Sequence, residues 1–140
     1  MVGMSAPIDL LGVYLHLARA SELRRRPHVR DRLLIIAGTI AARMHLPRVS
    51  AYCRHRVLQH NPHHLIGHWE SCEEALEDPD FLVFLRQLQR RYPQEKAERM
   101  LSSLGIEMAR ERAVYYSDEE YAVSLLGADT ETLDRLFGTR

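Results

Sequence analysis

Lysine is almost missing from this sequence: Lys96 stands alone against eighteen arginines. Cysteine is scarce too. Cys53 and Cys72 are widely spaced and form no CxxC pair, which excludes a disulfide framework and suits reduced thiols in a cytoplasmic protein. No long apolar run is present. The longest, Leu33 to Ala42, contains Gly38 and Thr39; it suits a buried helix and falls well short of the ~20 residues of a membrane span. No basic, apolar and small-residue leader pattern opens the chain. The expected location is therefore the cytoplasm, with no membrane partner. There is no Gly/Ser linker and no low-complexity tract, and no segment alternates with period two, which excludes a sheet.

Several catalytic signatures are also missing. The chain has no Gly-rich phosphate loop, no H-E-x-x-H, no G-x-S-x-G and no E-x-x-H pair. His68-Trp69-Glu70 matches the H-x-E start of a zinc deaminase, but the P-C-x-x-C that must accompany it is absent. With no recognisable nucleophile, the reading leans away from an enzyme.

What is present is helical periodicity almost everywhere. The 140 residues suit a single domain. Leu10 or Leu11, Tyr14, Leu17 and Ala18 line a first helix, closed by Arg24-Arg25-Arg26-Pro27. Val29, Leu33, Ile36, Ile40 and Met44 mark a second, ending before Pro47, and Val49, Cys53 and Val57 or Leu58 a shorter third. Asn61-Pro62 looks like the capped start of a fourth, with Leu65, Trp69, Cys72 and Leu76 facing inward. Asp78-Pro79-Asp80, Pro93, Ser117 with Glu120, and Asp129 or Thr130 open the later ones. The expected fold is all-α: a compact single-domain multi-helix bundle of about seven helices with short turns. Residues 1–5 are expected to be disordered.

The zero net charge conceals a division. Residues 1–69 carry ten arginines and three acids, Asp9, Glu22 and Asp31; residues 70–140 carry nine basic and sixteen acidic residues. All eight histidines lie in the first half, and no acid falls between Arg32 and Trp69. The two halves either neutralise one another within the fold or meet partners of opposite charge.

Three functional readings follow. The first is a non-enzymatic protein-interaction or self-assembly module, in which Tyr115, Tyr116 and Tyr121 form an interface and the charged halves mate between chains. The second is nucleic-acid binding by Arg24, Arg25, Arg26, Arg30, Arg48 and Arg54, with a helix-turn-helix over 40–57 whose turn has His45 where Gly is usual. The third is metal binding in the His-rich segment 55–72. His64, His68 and Cys72, four residues apart, would form a ladder on one helix edge, and their donors suit zinc or another transition metal. No cofactor is required by any complete motif.

Overall fold

The computed structural model describes residues 6–106 and 108–138, and every element among them is helical: α1 (Pro7–Leu23), α2 (Pro27–Arg43), α3 (Pro47–His60), a 3₁₀ turn (Leu65–His68), α4 (Cys72–Ala75), α5 (Pro79–Arg91), α6 (Gln94–Ser103), α7 (Met108–Arg112), α8 (Asp118–Leu125) and α9 (Thr130–Phe137). The all-α expectation holds. The expected disorder of residues 1–5 lies outside the described residues. None of the described helices is long and apolar enough to cross a membrane.

The two prolines that end the first helices in the sequence also begin the next ones, and both turns are built alike. Each helix closes with paired hydrogen bonds, Arg25 N–H to Glu22 O with Arg26 N–H to Ser21 O, then His45 N–H to Ala42 O with Leu46 N–H to Ala41 O. That is the Schellman arrangement, which requires a left-handed residue just beyond the cap. Arg25 (φ 58°) and His45 (φ 60°) occupy that position, where glycine would be relaxed. Pro27 and Pro47 then start α2 and α3 with φ already set for a helix.

These turns lay α1, α2 and α3 side by side with α2 in the middle. A helix flanked on both sides needs apolar residues all round. That explains the run Leu33–Ala42, where every residue but Ile40 is buried. Gly38 lets α3 approach closely: a Cβ there would sit 3.2 Å from both Cys53 Cβ and Cys72 Sγ. The other face of α1 is covered by α6 and α8, while α4 and α5 pack on α2, and α8 and α9 on α3. Leu11 to Ala18 are consequently all buried. One apolar cluster includes residues from α1 to α6 and α8.

The expected helix from Pro62 to Leu76 is corrected. Asn61 Oδ1 accepts the His63 N–H at 3.2 Å, which makes a local turn in place of a helix start. The 3₁₀ turn follows, then Trp69 is extended (φ −118°, ψ 146°). Ser71 restarts the helix by accepting the Glu74 N–H at 3.1 Å. Trp69 is fixed where it leaves the helix. Its Nε1–H donates to Asp78 Oδ2 at 3.0 Å and its ring meets Phe81 edge-on at 5.2 Å.

Candidate ligand pocket beside the Asp31–His60 pair

Asp31 lies on the buried face of α2, one turn before Ile35, and is only 4 % exposed. A carboxylate taken out of water must be paired and hydrogen-bonded. Both of its oxygens are. Oδ1 accepts from Arg30 Nη2 (3.0 Å) and Nε (3.3 Å). Oδ2 takes His60 Nδ1 at 2.5 Å from the last residue of α3. The His60 ring also meets His28 edge-on at 5.3 Å.

Arg30 continues the network outward. Its Nη1 and Arg56 Nη2 both donate to Glu22 Oε1 at 2.6 Å, and Arg56 Nη1 donates to Leu126 O at 3.0 Å. Burial pushes the Glu22 carboxyl up, but the two guanidinium groups outweigh it and hold the pKa below the usual range.

On the other side of Asp31 is a cavity of about 200 Å³, lined by His28, Asp31, Arg32, Asn61, His64, Phe84 and Leu88. Its polar groups are mostly donors. Asn61 Oδ1 is occupied by the His63 N–H, so its NH₂ is the group left to offer. His64 Nδ1 accepts the Ile66 N–H at 3.0 Å, so the neutral ring carries its proton on Nε2. Arg32 is half-buried and makes no ion pair or hydrogen bond among the described residues. With Asp31 capped by Arg30 and His60, the Arg32 guanidinium is the wall's one uncompensated charge among these described residues. Phe84 and Leu88 supply an apolar side.

The arginines expected to share a nucleic-acid site are dispersed. Arg24, Arg25 and Arg26 are exposed on the α1–α2 turn. Arg30 is engaged as above. Arg48 is buried, with Nε and Nη2 on Glu119 (3.1 and 2.7 Å) and Nη1 on Asp134 (2.5 Å) and Gly138 O (2.8 Å). Arg54 donates to Trp69 O at 3.1 and 2.7 Å. The segment expected to be a helix-turn-helix, 40–57, spans the end of α2, a short turn and most of α3, and that second helix is enclosed. From Arg48 to Leu58 every residue is buried or half-buried, because α2, α4, α8 and α9 surround α3.

The proposed metal ladder is also dispersed, because its single helix does not form. His64 lines the cavity, His68 is exposed against the Trp69 ring (5.9 Å), and Cys72 is buried with Sγ 4.0 Å from Ser50 O. No group of three or more His, Cys, Asp or Glu is placed to hold a metal among the described residues. Burial, and for Cys53 the neighbouring Cys72, pushes both thiols above their ordinary pKa, so neither is an activated thiolate. Of the three tyrosines, Tyr121 is buried, Tyr115 is half-buried against it at 5.6 Å, and Tyr116 is 99 % exposed.

Two histidines set an acid limit on the fold. Burial lowers the pKa of His64, with Asp31 opposing. Burial likewise lowers that of His16, whose Nε2 is 2.9 Å from Glu111 Oε1; Glu111 opposes the shift and Arg19 adds to it. A folded pKa below the unfolded 6.5 means that the unfolded chain binds more protons. Their contribution is therefore complete above pH 6.5 and is lost as pH falls through that value toward the folded pKa. Urea midpoints should drop between pH 7.5 and 5.5, and His16→Gln should flatten the slope. A midpoint that does not change with pH in wild type would contradict this assignment.

No protein-family model matches this chain, and no curated protein and no solved structure matches it.

Proposed function

We propose that this chain is a small-ligand-binding protein and that its pocket between α2, the loop after α3 and α5 takes a small anion with an apolar body. One observation carries the reading: the pocket's carboxylate is ion-paired from behind with Arg30 and hydrogen-bonded with His60, while Arg32 faces the cavity without a partner among the described residues. The donors His64 Nε2–H and Asn61 NH₂ suit carboxylate or phosphate oxygens, and Phe84 with Leu88 suits a hydrocarbon part. The volume lies below the ~300 Å³ at which pockets for drug-sized ligands begin, so the ligand is small.

Binding is favoured over catalysis because the lining holds no Ser, Thr or Cys to act as nucleophile. It is placed ahead of a tyrosine interface because two of those three rings are used in packing the chain itself. The test is a titration of small aliphatic and aromatic carboxylates and phosphate monoesters, followed by NMR of the histidine rings. Saturable shifts are expected at His28 and His64, with exposed His68 unmoved. Shifts spread equally over all three rings, or none, would count against the pocket.

A further inference from the structure

The turn between α1 and α2 presents a second surface. Leu23 ends α1 and is 76 % exposed. Arg24, Arg25 and Arg26 follow it, all exposed and none ion-paired among the described residues. A lone exposed leucine is ordinary. This one directly precedes the three arginines, two of which, Arg24 and Arg26, line a crevice of about 110 Å³ together with Leu17, Val29, Met100 and Leu104. Apolar surface and uncompensated cations thus share one tip of the molecule.

The backbone adds a further observation. Arg25 occupies the left-handed position of the Schellman turn, where glycine would be unstrained. A third guanidinium is kept on the tip at a conformational cost.

We infer that this tip attaches the protein to an anionic lipid bilayer, the three arginines meeting headgroup phosphates and carboxylates while Leu23 enters the interface between them. Charge complementarity requires an anionic partner, and the exposed leucine next to the arginines decides which. A nucleic-acid backbone has no use for an exposed leucine among its phosphate contacts, whereas a bilayer interface takes up an apolar side chain and attracts basic residues together. The arginines that would have extended a nucleic-acid surface, Arg30, Arg48 and Arg54, are engaged elsewhere in the fold. Attachment to a bilayer departs from the sequence-based expectation of no membrane partner, which was drawn from the lack of a spanning segment; attachment from one side needs none. The inference rests on a different surface from the ligand pocket and does not depend on it.

The test is co-sedimentation of the full chain with vesicles of phosphatidylcholine alone or containing about one-third phosphatidylserine at low salt, a vesicle charge well into the range that attracts basic segments. Sedimentation is expected with the charged vesicles only, and it should weaken with added salt. The Arg24→Gln/Arg25→Gln/Arg26→Gln variant should lose about a hundredfold in partitioning, at roughly fivefold per arginine. Leu23→Asp should lose roughly tenfold or more, from the missing apolar contact and the added negative charge. These residues are exposed, and unchanged circular dichroism will show that the variants fold. Failure to sediment with charged vesicles at low salt would overturn the inference. So would retention of a DNA or RNA duplex that needs the arginines and is unaffected by Leu23→Asp, with vesicle binding no stronger than that.

Discussion

Arg48→Ala should lower the unfolding free energy by about 3–5 kcal/mol, the cost of breaking a buried pair by removing one partner. Arg48 is the second residue of α3 and reaches α8 and the end of α9. Its bidentate contact with Glu119 fits the planar fork of a guanidinium, so the ammonium of Arg48→Lys should recover only part of the loss. Glu119 is itself buried, and Arg48→Ala takes a bidentate guanidinium partner away from a carboxylate inside the protein. The deficit thus includes the cost of a buried acid that has lost two charge-assisted hydrogen bonds. The double variant Arg48→Met/Glu119→Leu should therefore be clearly more stable than Arg48→Ala, since an apolar pair can replace a buried ion pair. Urea denaturation of the three proteins decides. A loss below about 1 kcal/mol for Arg48→Ala would place this contact among ordinary surface pairs. Because typical domains have only about 5–15 kcal/mol in total, the predicted loss is a large fraction of the fold's stability.

Asp31→Ala should cost about 2–3 kcal/mol, the range of hydrogen bonds to charged groups. The variant leaves Arg30, whose side chain is 12 % exposed, with Glu22 as its remaining carboxylate, and frees His60 from its only hydrogen-bonded partner among the described residues. It also removes the cross-link between α2 and the last residue of α3. Asp31→Asn should cost less, because the amide oxygen can still accept one of the two sets of bonds. Equal losses for the two variants would show that charge alone matters at this site. No loss for either would remove Asp31 from its role as the anchor of the pocket.

Much of the fold is legible in the residues. Pro27, Pro47 and Pro79 mark helix starts because an N-terminal helical residue has no use for its N–H. Ser117 and Asp129 announce two more, Asp78 reinforces Pro79 at the start of α5, and each of the three accepts the expected backbone N–H. Asn61-Pro62 carries the same signal and fails. Ser71 and Glu74 form a competing start nine residues on, and Trp69 is drawn out to Asp78 and Phe81, contacts that no local pattern reveals.

The candidate pocket was much less legible, since it depends on Asp31 meeting His60 across 29 residues. One signal was available. Asp31, Ile35, Gly38 and Ala42 fall on a single helical face, all are buried, and an acid on an apolar stripe needs a partner. The charge division was legible as a pattern, but its resolution was not. Arg48 does join the basic half to the acidic half within one chain, whereas Glu22 and Asp31 are engaged by arginines of their own half.

The most direct test of the pocket compares anion affinity in wild type, Arg32→Gln and Arg43→Gln by calorimetry. Arg43 is an exposed cation at the far end of α2, about 16 Å along the axis from Arg32 at 1.5 Å per residue. Using the tightest ligand from the titration, Arg32→Gln should weaken binding about tenfold or more, since a hydrogen bond to a charged group contributes about 1.5–3 kcal/mol. Arg43→Gln should leave it unchanged. Equal affinities in all three proteins, or equal losses in both variants, would contradict a pocket built around Arg32.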